Sequence, residues 1–446
     1  MTHVLVVGGG VGGLLTVQAL LDRADDLASG RADDLAECWA DDLVHDLRDD
    51  PADGREDGGL EARVHDGAGH GADGGAHGSG AASRAAGPRV PLTVTVAVLK
   101  PGSLTASRSG GLAMRYASTD PRADGWATRS AVLATALARR HAHVRTHVRT
   151  RSAVVVSRRG PVTGLAGTAV DPAGLGLSRH SDALLVDPSP QWDTCALLPR
   201  WAAALAADPR VRTVGLPAPL RSTADLLALH DRHGADVTVA CLGLGAHVLG
   251  DTRLSGRLGV LLRGPLPEGT VHERAAVVDD DDTLRPRYTV PHRSGPQPDA
   301  HPGADQHGDL QPADDHLHVG GTYLPVDDPA DWDDVRRLAD RATAEVPALL
   351  ADAADRFPAL AGWRPDAAPW WHLRPVRDTV ALGRVDPGLV GGRDVVVSHG
   401  WGGSGWTIGP AVAEETARSL LPGPATHGSV RDDADDPLAT YGWWRP

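Results

Sequence analysis

The chain is poor in several residues that common chemistries rely on. Its three cysteines, Cys38, Cys195 and Cys241, are far apart and form no CxxC pair, so neither a disulfide framework nor a thiolate zinc site is indicated. Lysine is reduced to Lys100 alone, and no Gly-Lys-Ser/Thr follows a glycine run, which excludes a P-loop. HExxH is absent, and His65, His70 and His77, like His292, His301, His307 and His316, fall in loop-like stretches; no metal is expected. No apolar run approaches the roughly 20 residues of a membrane span, and no basic leader precedes the first apolar run, so the chain reads as cytoplasmic with no membrane partner.

A basic stripe is also missing, which argues against nucleic-acid binding. The formal charge is −14, and residues 22–90, with 17 Asp/Glu against 7 Arg, carry −10 of it. Ala-Asp-Asp-Leu recurs there at 24–27, 32–35 and 40–43, but an eight-residue period fits no known solenoid. Residues 65–88, rich in Gly, Ala and His, read as disordered, and the whole of 22–90 as a surface insertion. With 446 residues, 41% of them hydrophobic, the remainder can bury a core of two or three domains.

What is present begins at once. Val4–Val7 is an all-apolar run, as expected of a strand buried on both faces, and Gly8-Gly9-Gly10-Val11-Gly12-Gly13 follows it. Leu14, Leu15, Val17, Leu20 and Leu21 then suggest a helix. Gly8, Gly10 and Gly13 stand where a chain must turn tightly, approach a pyrophosphate and pack helix on strand, with Val11 opening the helix. The delayed second strand, Thr93–Leu99, ends without Asp or Glu for a ribose hydroxyl. Lys100 is a phosphate partner in its place, which suits NADP as well as FAD. The absence of a second complete glycine fingerprint, Gly243-Leu244-Gly245 being the only candidate, favours FAD.

Further strands are expected at 153–156, 237–241, 259–262, 316–319 and 395–398, and helices at 126–139, 193–206, 333–353 and 409–421. This alternation predicts an α/β fold: a Rossmann-type FAD-binding domain interleaved with an α+β substrate domain on an antiparallel or mixed sheet. The expected division gives residues 1–21, 91–125, 195–250 and 390–425 to the FAD-binding domain. Residues 126–194 and 251–389 form connecting and substrate-domain segments, 292–315 a disordered loop and 426–446 a tail.

Four ordered stretches resemble the D-amino-acid oxidase family of FAD enzymes. They are Ser109-Gly110-Gly111-Leu112-Ala113-Met114-Arg115-Tyr116, then Ala235-Asp236-Val237 through Cys241-Leu242-Gly243. Leu373-Arg374-Pro375-Val376-Arg377 and Gly400-Trp401-Gly402-Gly403-Ser404-Gly405-Trp406-Thr407 complete the set. The resemblance implies cofactor contacts from Lys100, Thr105, Gly110, Gly111, Leu112, Gly243, Gly402, Gly403, Gly405, Trp406 and Thr407, besides Gly8, Gly10, Val11 and Gly13. It implies that Arg374 grips a substrate carboxylate, that Tyr288 closes over it, that Tyr116 lines the pocket and that the Gly403 carbonyl meets the amine. The chain departs from the family at Val397, where a histidine is usual, with His399 nearby, and at Leu284, where a first tyrosine is usual. His372, beside Arg374, is a candidate for shaping the pocket mouth.

The activity so implied is oxidation of the Cα–N bond of a D-amino acid to an imino acid, with hydride passing to flavin N5 and electrons to oxygen. Its partners are a small amino acid and oxygen, and a homodimer is compatible with the sequence. A flavin dehydrogenase, a glycine or N-methyl amino acid oxidase, a degenerate flavin-binding protein and an NADP-dependent reductase are the alternatives.

Overall fold

Strand β1 (Thr2–Val7) is central in the sheet and fully buried over Val4–Val7, because Val4 and Val6 pack into a core on one face and Leu5 and Val7 into a core on the other. Helix α1 (Val11–Ser29) then lays Leu14, Val17, Leu21 and Ala24, at helical spacing, into the core. Strand β2 (Leu92–Val98) returns parallel to β1, in register from Thr2↔Leu92 to Val7↔Ala97. In this computed structural model the described residues are 2–29, 91–99, 120–163, 165, 167–279, 281, 287–292, 315–326 and 335–422. Most of the acidic segment, residues 293–314 of the loop expected at 292–315 and the tail therefore lie outside them, while His292, expected in that loop, is the last residue of a strand. Helix α1 continues to Ser29, however, so the start of the acidic segment is helical. Asp22 and Asp26 there meet Arg140 at 3.4 and 3.0 Å.

The elements that follow are α2 (Ala123–Arg140), β3 (Val148–Ser157), β4 (Thr168–Ala169), β5 (Asp182–Trp192), α3 (Thr194–Ala207), β6 (Val211–Gly215), α4 (Thr223–His233) and β7 (Val237–Ala240). Next come β8 (Ser255–Gly264), β9 (Ala276–Asp279), β10 (Arg287–His292), β11 (His316–Gly320), β12 (Leu324–Val326), α5 (Val335–Ala344) and α6 (Val346–Arg356). Strands β13 (Trp370–Arg384) and β14 (Asp394–Trp401) and helix α7 (Gly405–Leu420) close the described chain.

The described strands form one sheet in the order β4-β5-β3-β9-β10-β11-β8-β13-β14-β7-β1-β2-β6, with β12 on β8. From β14 to β6 every pairing is parallel, which is the doubly wound half. From β13 to β4 the pairings are antiparallel except β3 with β9. The α/β architecture with a mixed sheet is as expected from the sequence.

Strand β13 joins the two halves. Its first part, Trp370–Val376, pairs with β8; after a register shift its last part, Ala381–Arg384, pairs with β14. One core, with Leu14, Val17, Trp192, Trp201 and Val412, lies under α1, α3 and α7. A second packs Leu258, Val260, Leu262 and Val319 against Leu338, Leu349 and Phe357 of the α5–α6 region. That pairing covers one face of β8 and β11 and leaves their other face for the site.

Two helices differ from the sequence reading. The single helix expected over 333–353 is two, broken at Glu345, with Pro347 in the first turn of α6, where its missing N–H costs nothing. Helix α7 begins at Gly405 rather than residue 409, although glycine is a poor helix former. The reason is packing: a Cβ on Gly405 would stand 3.0 Å from Val11 Cγ1, and one on Gly409 2.8 Å from Leu15 Cδ1. No helix among the described residues is long and apolar enough to cross a membrane.

Candidate cofactor and substrate site

The glycine turn after β1 is wedged between the C-terminal ends of two neighbouring strands. Gly8, at φ +134°, has no room for a side chain: a Cβ there would lie 2.2 Å from the Cys241 carbonyl oxygen beyond β7. On the other side a Cβ on Gly9 would lie 2.8 Å from Val98 Cγ1 of β2. Gly13 presses its Cα against the turn itself, a Cβ there falling 1.9 Å from the Gly8 carbonyl oxygen. This is the topological switch point of the parallel half, where the strand order turns from β1 to β2 on one side and β7 on the other. Cys241 is half-buried here, and desolvation pushes its thiol up to about 12, so it stays protonated and is no nucleophile.

Helix α7 brings a second N-terminus to the same place. Gly405 touches Val11 at the start of α1, and a Cβ on Gly12 would be 3.2 Å from the Trp401 ring. Two helix N-termini side by side present about half a positive charge each, which suits a pyrophosphate. The glycines that make the cradle would be filled by any side chain, so the residues present fit a dinucleotide such as FAD. Trp406 and Thr407 are buried, the Trp406 ring packing on Trp192 with centroids 4.9 Å apart.

The turn before α7 reaches across to β13. Gly400 and Gly402 have φ of +79° and +58°, and the Gly402 N–H donates to the Pro375 carbonyl at 2.8 Å. Gly243, also left-handed, faces the Pro375 ring. Gly403 lies against the Arg374 side chain, a Cβ there standing 3.7 Å from both Cδ and Nε. The turn attributed to the cofactor and the arginine attributed to the substrate are therefore neighbours.

Arg374 is 7% exposed, and no carboxylate lies within ion-pairing distance of it among the described residues. Its Nη1 donates to the Thr322 carbonyl at 2.7 Å and its Nε to His372 Nε2 at 3.2 Å. His372 can accept only if neutral; its burial, and next the Arg374 charge, hold its pKa well below the usual range. A guanidinium has five N–H donors, so one on Nη1 and two on Nη2 are left for a planar anion. Gly259, directly opposite His372 on β8, makes the space: a Cβ there would collide with Nη2 at 2.6 Å.

Tyr288 reaches the same face. Tyr288, Gly320, Leu261 and Trp370 are in register across β10, β11, β8 and β13, and Arg374 is four residues beyond Trp370, hence on the same side. The Tyr288 hydroxyl lies over Gly320, where a Cβ would be 2.7 Å away. Gly259 and Gly320 are diagonal neighbours on adjacent strands, about 7–8 Å apart. The two glycines thus make the space that the Tyr288 hydroxyl and the Arg374 guanidinium occupy on this face.

A further residue was missed from the sequence. The Tyr323 ring lies 5.4 Å from the Arg374 guanidinium carbon, and its hydroxyl is buried with no hydrogen-bond partner among the described residues. Its only signal is rarity, as one of 4 tyrosines in the chain, directly after a strand. Lys100, Thr105, Gly110, Gly111, Leu112, Tyr116 and Leu284 lie outside the described residues.

The second arginine of the Arg-Pro-Val-Arg run points away from this space. Arg377 Nε pairs with Asp251 at 3.0 Å, and His399 Nε2 meets the same carboxylate at 2.8 Å. Burial works to raise the Asp251 pKa, but the His399 hydrogen bond and the Arg377 charge hold it below the usual carboxylate range. Arg377 also packs on Gly400, leaving no room for a side chain there. The trio braces the turn from behind, so His399 is engaged with Asp251, and Val397 is in the core.

No protein-family profile matches the sequence, and no curated protein does. Solved structures do match along the whole chain. Glycine oxidase from Geobacillus kaustophilus superposes with a TM-score of 0.56 at 14% identity, covering 98% of this chain and 99% of its own. Iminodiacetate oxidase from Chelativorans sp. BNC1 gives 0.53 at 14%, covering 95% and 96%. L-α-glycerophosphate oxidase from Mycoplasma pneumoniae, solved with FAD bound, gives 0.53 at 13%, covering 94% and 95%. Over its whole length the chain has the fold of FAD-dependent oxidoreductases of the D-amino-acid oxidase type, the amino-acid oxidases acting on CH–NH2 among them.

Proposed function

We propose that this protein binds FAD in the glycine cradle and oxidises the Cα–N bond of a small D-amino acid, releasing an imino acid, with oxygen as the electron acceptor. The observation that carries this reading is Arg374: a buried guanidinium with no acidic partner among the described residues, three N–H groups to spare, and Gly403 of the turn beside it. A buried cation left without an anion is costly, and a substrate carboxylate offsets that cost. When bound, FAD supplies the hydride acceptor. The chain supplies orientation. Arg374 takes the carboxylate in a two-point grip, Tyr323 and Tyr288 donate their hydroxyls to it, and the Gly403 carbonyl accepts from the amine. No carboxylate base stands beside Arg374 among the described residues, so the amine enters as the free base.

Glycine or an N-substituted glycine is a second reading, favoured by the fold shared with glycine oxidase and iminodiacetate oxidase. One experiment addresses both. The purified yellow protein is mixed without oxygen with D-alanine, L-alanine, glycine, sarcosine and iminodiacetate, and flavin absorbance is followed; peroxide is then assayed in air. Bleaching by D-alanine but not L-alanine is expected. Bleaching by glycine or its N-substituted forms alone selects the second reading, and no bleaching by any of them overturns both.

A further inference from the structure

The face that carries Arg374 and Tyr288 also holds a cluster that amine oxidation does not use. His292 ends β10 and His316 begins β11, directly opposite one another in the antiparallel register, and His318 stands two residues on, on the same side. Ring centroids are 4.9 Å apart for His292–His316, 4.3 Å for His292–His318 and 4.7 Å for His316–His318. One nitrogen from each ring lies within 4.8 Å of one from every other. His318 is 3% exposed, and both its ring nitrogens, like Nε2 of His292, are buried with no hydrogen-bond partner among the described residues. Buried nitrogens in that condition are rare, and each asks for a partner.

We propose that His292, His316 and His318 bind a divalent late first-row metal ion of the zinc class, one imidazole nitrogen each, with a fourth ligand from solvent. Three imidazole nitrogen donors suit zinc and its neighbours and do not suit magnesium or calcium, which demand oxygen. Tetrahedral zinc at about 2.0–2.1 Å from each nitrogen places the donors roughly 3.4 Å apart. Rotation of the rings about their side-chain bonds closes the remaining gap. The charged groups facing the cluster are Arg149, Arg151 and Arg263, with Asp193 as the acidic one. Their net positive charge favours an anionic fourth ligand, hydroxide or chloride, over neutral water.

The cluster lies at the Tyr288 end of the substrate face, with His318 two residues from Gly320 and about 7 Å from it along the strand. His318 contacts Trp370, with ring centroids 5.5 Å apart, and Arg374 is four residues beyond Trp370 on β13, about 13 Å further along the strand. A metal here joins β10 to β11 at the end where the chain leaves one and enters the other.

The test uses the full-length holoprotein without a histidine tag, treated with a chelator, dialysed and titrated with zinc chloride by calorimetry. One equivalent of zinc is expected, with an X-ray absorption spectrum showing imidazole scattering. Magnesium chloride is expected to give no heat. Loss of outer-shell partners alone weakens metal sites by about 10–100-fold, so His292→Ala and His318→Ala are each expected to weaken zinc by about 100-fold or more. His143→Ala, outside the cluster, is expected to keep the affinity. Zinc is also expected to raise the thermal midpoint of the parent protein and leave that of the His292→Ala/His318→Ala double variant unmoved. Failure of the parent protein to take up zinc overturns the proposal, as does zinc affinity in the two single variants equal to that of the parent protein. Should those variants not fold, an absorption spectrum of the zinc-loaded parent protein lacking imidazole scattering overturns it.

Discussion

The Nη1 of Arg374 donates to the carbonyl oxygen of Thr322 at 2.7 Å, and that bond decides which edge of the guanidinium is offered to a ligand. With Nε committed to His372, the Nη1–Nη2 edge is the one left to meet a carboxylate. Replacing Arg374 by Ala is expected to raise KM by about 30- to 1000-fold, the 2–4 kcal/mol typical of removing one partner of a buried charged pair. Flavin content should stay unchanged. Arg374→Lys is expected to recover only part of the loss, because an ammonium cannot reproduce the planar grip. Steady-state kinetics beside a flavin spectrum checks this, and an unchanged KM removes Arg374 from the site.

Tyr323→Phe separates binding from stability. Its hydroxyl has no partner among the described residues, so losing it is expected to leave the urea midpoint unchanged or slightly raised. A hydrogen bond to a charged group contributes about 1.5–3 kcal/mol, so KM is expected to rise roughly tenfold or more. A fall in stability with KM unchanged would assign the hydroxyl to the fold.

Gly13→Ala and Gly125→Ala form a matched pair within helices. A Cβ at Gly13 would collide with the Gly8 carbonyl at 1.9 Å, whereas one at Gly125 meets nothing within 4 Å. The first is expected to cost about 1–3 kcal/mol and to release the flavin, since the cradle must open. The second is expected to stabilise by roughly 0.4–1 kcal/mol, by restricting the unfolded chain and favouring helix. Denaturant melts and flavin-to-protein absorbance ratios read both.

His272 makes stability depend on pH. Its ring is fully buried, with Nδ1 at 2.9 Å from Thr289 Oγ1, and burial, then the His180 charge, pushes it down to about 4. The folded value lies below the unfolded value of about 6.5, so the unfolded chain binds the proton first as pH falls. The contribution is complete above about pH 6.5 and is lost as pH falls toward 4, on the order of 3 kcal/mol in all. Urea melts across that range should show a shallower pH slope for His272→Gln; an equal slope would count against this account.

The parts of the fold legible in the sequence are those whose signal is local. Val4–Val7 followed by six residues with five glycines specifies a strand, a turn and a helix start within a dozen positions. Strand β13 was not read as one, because its two ends pair in different halves of the sheet and its hydrophobic pattern shifts at the change of register. Helix α4 was also passed over, although Ser222 and Asp225 form a capping box and Gly234 ends the helix at φ +60°. Arg374 was found because it sits in a recognisable run. Tyr323 and His318 carry no such signal, and His292 and His316, expected in loop-like stretches, lie in strands; what joins them to their partners is cross-strand register between segments some two dozen or more residues apart, which no local pattern records.

Strand β13 has one more consequence. From Trp370 to Val376 it is held residue by residue to β8, and at Pro375 it accepts the Gly402 N–H, so the distance from the carboxylate grip to the cofactor turn is set by main-chain bonds with no hinge between them. Because side chains alternate along a strand, deleting one residue between Trp371 and Leu373 would rotate Arg374 onto the face packed by α5 and α6. Such a shortened protein would keep its yellow colour and lose its appetite for carboxylates, a phenotype that no point substitution in the cradle would reproduce.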